Sequence, residues 1–493
     1  MRVSGYVRKN INIKFFDSVN TELQQNILPL KYSPLSYNFT CENGALRCKL
    51  GIRAAKTASA SFPGAVHDLP VLGGDQTFKS IHVYRKYDFT NNKRDDKIIV
   101  LSSDNNYYET KIFEIDTFHR VNNLQSAGKD CSVCYRHNGA DVFILSSENG
   151  FLCIYDGTTV KTVTNAPKMT SMCVHAERIF ATVSGEQNRV WFSDDFNPEN
   201  WTVAGTAAGY IDFDDEGGNV IKVVRFLNHV YVFRDFGVER LTAYGSQQDF
   251  TVSKLYVSSA RIYPETIVSL GDRIVFLTDD GLHVCDGYNI KAVAPSLKPF
   301  LSRGVKDYII ACGLNGKYYL AADLSYEDNI NPVMDEADMA HQNDSVVIYD
   351  VKQDSFCILR GVDVLTMCAV KIAGESSVLI AFNLPDNNKR LGQFDTEGLY
   401  FETYMPKYWT TGFTDLGYPS KIKTVREVSL VSSCDCTLGV DMDGVAQEYA
   451  VKGGSAPTRI VINRSGQRMR LYIKTTSRLI TAIGAPTVVV DIV

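Results

Sequence analysis

The chain has 493 residues, 45% of them hydrophobic and 22% charged, with a formal net charge of −5. That length exceeds what one ordinary hydrophobic core holds, and no apolar run approaches the roughly 20 residues of a membrane-spanning helix, so several soluble units and no membrane segment are expected. The charge is unevenly shared: residues 1–60 carry nine Lys or Arg against three acids, residues 399–493 eleven against eight, and the stretch between them holds −14.

An acidic centre argues against duplex DNA binding there, because phosphate neutralisation needs clustered Lys and Arg. Basic ends suit docking on neighbours through complementary fields. At the N-terminus, Met1 to Asn10 is basic but leads into Ile11-Asn12-Ile13-Lys14, which is not the apolar core of a signal peptide. Residues 1–60 read as an extended, irregular arm. Pro29 and Ser33-Pro34 break helices, and Asn43 to Ile52 looks like a turn followed by an alternating strand. Thr57 to Gly64 is the first plausible linker, its small residues and Pro63-Gly64 step being unable to hold an element together.

Residues 61–398 follow one grammar. Leu101-Ser102-Ser103-Asp104-Asn105 and Leu145-Ser146-Ser147-Glu148-Asn149 close two β-branched runs 44 positions apart, and Leu277-Thr278-Asp279-Asp280-Gly281 closes another three such periods on. Phe233-Arg234-Asp235-Phe236-Gly237 stands at the intermediate step. A period near 44 built of short strands and polar turns marks β-propeller blades, and about 300 residues of it make six or seven. Within a unit, Val142 to Leu145 passes through Asn149-Gly150 to Phe151–Tyr155 and stops at Asp156-Gly157, while Ile274 to Leu277 passes through Asp280-Gly281 to Leu282–Cys285. Asn-Gly and Asp-Gly supply the positive φ that tight hairpin turns require. Two insertions interrupt this: residues 324–344, which are acidic, and the stretch from Trp191 to Gly218.

From Leu399 the grammar changes. Tyr408-Trp409-Thr410-Thr411, Thr424–Val431, Met469–Lys474 and Thr487–Val493 alternate over longer spacings, the pattern of a small antiparallel β-sandwich at residues 399–493. The expected fold is all-β, a propeller of six or seven blades with an N-terminal arm and a C-terminal sandwich.

A search for chemistry returns no catalytic residue and no cofactor. The eight histidines form no His-Glu-x-x-His pair, and neither a Gly-x-Ser-x-Gly elbow nor a phosphate loop is present. Twelve scattered cysteines read as reduced core thiols; the pairs Cys131/Cys134 and Cys434/Cys436 have no second half at metal-ligand spacing, so no metal is expected. Asp212 to Gly218 reads as an acidic hairpin turn without the spacing of a calcium loop. The sharpest enzymatic alternative is a sialidase-like glycosidase, a propeller whose blades carry Ser-x-Asp-x-Gly-x-Thr-Trp turns. Ser193 to Trp201 approaches that pattern once, with Asn197 in the glycine position and Trp201 displaced by one.

The segment Arg189 to Trp201, with Trp191, Ser193, Asp195, Pro198 and Trp201 as its landmarks, followed by Gly209–Phe213 and Asn228–Phe233, resembles the propeller subunits of tailed-bacteriophage tails, the tail hub or nozzle family also called packaged-DNA stabilisation proteins. Gly44-Ala45-Leu46-Arg47-Cys48-Lys49-Leu50-Gly51 is similar to a Gly-x-Leu-Arg-x-x-x-Gly phrase of their arm, and Trp409 to Gly417 to the start of their terminal β-domain. The resemblance implies a virion structural protein of the tail or neck, forming a homo-oligomeric ring of about six chains. Such a ring continues the DNA channel below the portal, retains DNA without reading its sequence, and meets the portal adaptor and tail fibre or distal tail proteins. Assembly residues expected on that basis are Arg2, Arg8, Lys9 and Lys14 in the arm and Arg464, Arg468, Arg470 and Lys474 in the terminal domain. An intracellular propeller acting as an interaction scaffold is the structural alternative.

Overall fold

Each copy of the recurring phrase closes the second strand of a four-stranded antiparallel sheet. The computed structural model describes the chain except residues 1–5, 14, 15, 17, 18, 21, 22, 25–27, 55–75, 113–117, 302–305, 325, 327–342, 373, 374, 384–388, 396–405 and 478–481. In it the phrases end Lys97–Ser102, Ala140–Ser147, His229–Arg234 and Ile274–Thr278. Seven such sheets follow one another, with first strands Phe78–Tyr84, Asp130–His137, Met169–His175, Val220–Phe226, Val268–Ser269, Ile310–Leu314 and Asp363–Ile372. These first strands are neighbours in order, and the seventh lies against the first, so the sheets are the blades of a closed β-propeller, numbered 1 to 7 below.

Blade packing explains why the sequence runs are apolar throughout and do not alternate. Every residue of Lys97–Ser102, Arg178–Val183 and Ile274–Thr278 is buried, because both faces of a second strand press on neighbouring blades. The turns that follow use left-handed backbone at Asn105 (φ 64°) and Gly281 (φ 117°), but the expected positive φ at Asn149-Gly150 is not used: neither residue there is left-handed.

Blade 7 takes its outer strand from the other end of the chain. Gly51–Ala54 pairs antiparallel with Lys389–Asp395, Ile52 opposite Phe394, and Ile52 is fully buried. Other strands of the N-terminal segment are also bonded into sheets. Val7–Asn12 forms the edge of a four-stranded sheet with Thr487–Ile492, Lys423–Leu430 and Thr458–Gly466. Leu35–Tyr37 forms the edge of a five-stranded sheet with Lys407–Thr410, Met469–Thr475, Cys436–Met442 and Val445–Val451. Both sheets feed one core containing Trp409, Val428, Leu438, Leu471 and Val488, where Phe16 meets Trp409 edge-on at 4.5 Å.

Residues 1–60, expected as an irregular arm, thus supply paired strands to the terminal sandwich and to the propeller. Pro34 precedes the strand Leu35–Tyr37 and does not interrupt it, a position strands tolerate. The two bodies meet at Asn38, fully buried with φ 59°. Its Nδ2 donates to the carbonyls of Arg360 (3.0 Å) and Pro406 (2.8 Å), and its Oδ1 accepts from the Arg360 N–H at 2.9 Å. The linker read at Thr57 to Gly64, and most of the insertion 324–344, lie outside the described residues.

Candidate functional site

Three polar or apolar clusters are built by the blades. The first joins blades 1 and 2 through their first strands. His82 Nε2 lies 2.8 Å from Asp130 Oδ2, and Ser132 Oγ lies 2.9 Å from His82 Nδ1. A carboxylate only accepts, so His82 Nε2–H donates to Asp130. Tyr107 (2.7 Å) and Ser80 (2.8 Å) donate to the same carboxylate oxygen. Burial raises the Asp130 pKa, but the His82 charge and the hydrogen bonds from His82, Tyr107 and Ser80 outweigh it and hold the carboxyl below the usual range. The constellation contains a Ser, a His and an Asp, yet Asp130 and Ser132 stand two apart on one strand and every donor is already spent on the tie between blades. Asp130→Asn is therefore expected to cost about 2–3 kcal/mol, read from chemical denaturation, whereas Ser132→Ala is expected to cost under about 1 kcal/mol. Equal losses would show that the carboxylate is not the hub.

The second cluster crosses the propeller axis. Lys129, in the turn leading into blade 2, is ion-paired with Glu265, in the turn Pro264–Thr266 leading into blade 5. Lys222 of blade 4 donates to the Pro264 carbonyl at 2.8 Å, and burial pulls its pKa down. Blades 2 and 5 lie on opposite sides of the ring, so this pair bridges the axial opening on that face.

The third is apolar and lies on the turns of blades 3, 4 and 5. Phe196 is 70% exposed and Tyr288 69%, with Leu227 and Tyr244 exposed between them. Short contacts hold the turns that carry them. Phe196 N–H donates to Glu177 O, Arg178 Nη2 donates to Gly245 O at 3.1 Å, Tyr244 hydroxyl donates to Asn228 O at 2.6 Å, and the Arg240 guanidinium lies 5.4 Å from the Tyr288 ring centre. Phe196 (φ 54°) and Leu227 (φ 50°) hold left-handed backbone, a conformation costly for bulky side chains and retained where the surroundings over-determine it.

The residues singled out in sequence have clear places. The turn Ser193 to Trp201 connects the third and fourth strands of blade 3 and satisfies itself. Ser193 Oγ accepts the Ile179 N–H (3.0 Å), Trp201 Nε1 donates to Pro198 O (2.9 Å), and Trp191 Nε1 donates to Glu186 (2.9 Å). Asp195 is bound by the buried Arg178 at 2.5 Å. Arg8 bonds Asp491 (2.7 Å), Arg470 bonds Asp441 (2.9 Å) and Lys474 bonds Glu448 (2.6 Å), so these three are engaged within the chain. Arg464 donates to Val440 O at 3.0 Å, while Lys9 and Arg468 are exposed; Arg2 and Lys14 lie outside the described residues.

Cys131 and Cys134 face opposite ways. Their thiols meet the Met169 carbonyl of blade 3 and the Val83 carbonyl of blade 1. Cys434 and Cys436 are buried in the sandwich beside Ser432. Among the described residues no group of three His, Cys, Asp or Glu is placed to hold a metal ion. Reasoning from sequence missed the His82–Asp130 tie and the exposed turns. Ser80, His82, Asp130 and Ser132, polar at alternate positions of two first strands, were the available signal for the tie.

No protein-family model matches the chain, and no curated protein matches it. Among solved structures it is similar to BBS1N in a complex with ARL6DN, with 11% identity and a TM-score of 0.43 over 70% of this chain and 98% of that one. It is also similar to Hsv2 of Kluyveromyces lactis, with 10% identity and a TM-score of 0.33 over 58% of this chain and 98% of that one. The assignment of the fold rests on the sheet topology, and by that topology the chain is a β-propeller protein.

Proposed function

We propose that this chain is a β-propeller interaction scaffold that acts by binding other protein chains and not by catalysis. The observation that carries this is the run of exposed Phe196, Leu227, Tyr244 and Tyr288 across adjacent blade turns. Large aromatic side chains supply most of the binding energy in protein interfaces, and contiguous apolar exposure on a soluble surface marks such interfaces. Two of the four sit on strained backbone, where Gly or Asn would be the locally favoured choice. With Phe196→Asp and Tyr288→Asp together, the full chain purified from its producing cells is expected to lose a stoichiometric associated protein while its melting temperature moves by less than about 2 °C. Wild-type protein that carries no such associate, or hydrolyses a fluorogenic sialoside, would sink this reading.

A second reading keeps the tail hub or nozzle of a tailed bacteriophage, located in the virion, with the portal adaptor and distal tail proteins as partners. The charge division favours it: a basic sandwich and an acidic propeller on one chain give the two unlike faces that a heterologous ring contact requires. Because Lys129 and Glu265 bridge the propeller axis, DNA in such an assembly passes through an opening shared between chains and not through any single propeller.

A further inference from the structure

Blade 4 ends in a long open edge, matched in length by the outer strand of blade 1, His119–Gln125, and approached by that of blade 6, Ser355–Arg360. Its outer strand, Thr251–Val257, has seven residues bonded on one side to Gly237–Thr242 and on the other to no strand among the described residues. The outer strands of blades 2, 3, 5 and 7 have four residues each. Short edge strands are how proteins avoid pairing with other chains, so a long one rich in β-branched residues, with Val252 and Val257 exposed, is a template for an added strand.

Beside this edge lies a cavity of about 310 Å³, in which four carboxylates, Asp212, Asp214, Asp215 and Glu239, face only two cations, Arg234 and Lys254. Both cations are already committed. Arg234 is ion-paired with Asp215 and Glu239, and Lys254 Nζ lies 2.6 Å from Asp215. Asp212 is in turn paired with Arg189 at 2.6 Å and Asp214 accepts from Asn188, so the four carboxylates outnumber the three cations around them by one, next to unpaired backbone groups.

The chain holds the complementary feature at its other end. Thr458–Gly466 is the open edge of the four-stranded sheet, bonded on one side to Lys423–Leu430 and on the other to no strand among the described residues. It presents Arg459, whose side chain is largely exposed and 3.5 Å from its nearest acid, Glu427. The exposed Val461 and then Arg464 follow on the same strand, and Arg468 lies just beyond it.

We propose that the basic edge Thr458–Gly466 of one chain adds to the open edge Thr251–Val257 of a second copy, with Arg459 set against the acidic cavity of blade 4. The backbone supplies the strand pairing, and the charges fix which edges meet and in which register. The contact joins two different surfaces, so it repeats from copy to copy and closes into a ring when the rotation allows. This inference rests on the ring reading above.

Native mass spectrometry and sedimentation of the full chain at micromolar concentration test it. The wild type is expected to form closed oligomers. Arg459→Glu with Arg464→Glu, or Asp212→Lys with Asp214→Lys, is expected to weaken association by at least about tenfold, and a chain carrying both pairs to regain most of it. Melting curves of each variant identify any loss that is merely unfolding, and the restored four-site chain is the check that folding cannot imitate. Rings that form equally well in all variants overturn this contact and leave the ring reading standing. A wild type that stays monomeric overturns both, as does assembly that occurs only on a different protein.

Discussion

A chain beginning at residue 55 is expected not to fold cooperatively. It would lose five strands, among them Val7–Asn12 at the edge of the terminal sheet, Leu35–Tyr37 at the edge of its partner sheet, and Gly51–Ala54 as the outer strand of blade 7. Each loss uncovers core. Ile52 and Leu46 are fully buried, and Phe16 packs on Trp409. It also uncovers hydrogen-bonding groups, because Asn38 satisfies the backbone of Arg360 and the carbonyl of Pro406. The expected result is insoluble protein, or soluble protein without a sharp thermal transition by circular dichroism, and recovery when residues 1–54 are supplied as a separate peptide during refolding. In the intact chain, Ile52→Ala alone is expected to cost about 2–4 kcal/mol. A truncated chain that melts at the wild-type temperature would restore the picture of a detachable arm.

Why the sequence concealed this is a matter of distance along the chain. Blade hairpins announce themselves locally, since Asn149-Gly150 or Asp280-Gly281 sits between two runs that pair with each other. The strand Val7–Asn12 has no such marker. Its partner is Thr487–Ile492 at the far end, in the register Val7 opposite Ile492, and a six-residue strand reads the same whatever it pairs with. The same holds for Gly51–Ala54, whose alternation was legible as a strand but whose place in blade 7 was not. The exposed face on blades 3 to 5 left a fainter trace. The turn Phe226-Leu227-Asn228 lacks the Gly that its left-handed residue invites, and a bulky residue in that position was a signal read only with φ in hand.

The second large effect is expected at Arg234, which is almost wholly buried at the end of the second strand of blade 4. Its guanidinium is ion-paired with Asp215, lies 3.2 Å from Glu239, and donates to the carbonyls of Gly218 (2.7 Å) and Phe213 (3.2 Å). Arg234→Met keeps the volume and removes the charge. It is expected to cost about 3–5 kcal/mol, because it strands the Glu239 carboxylate in an interior site with its counter-ion gone. The pH dependence gives the cause away. Burial already raises the Glu239 pKa in the wild type, with Arg234 opposing it, so removing the arginine raises it further. A carboxyl whose folded pKa exceeds its unfolded value binds more protons when folded, and stability then falls as pH rises from the unfolded value through the folded one. The penalty of Arg234→Met relative to wild type should thus be smaller at pH 5 than at pH 8, and Glu239→Gln added to it should remove most of that difference. Denaturation curves at the two pH values measure both effects. A loss that is the same at both, and indifferent to Glu239→Gln, would mean that the arginine acts through its backbone carbonyls and packing, and that the buried pair contributes little.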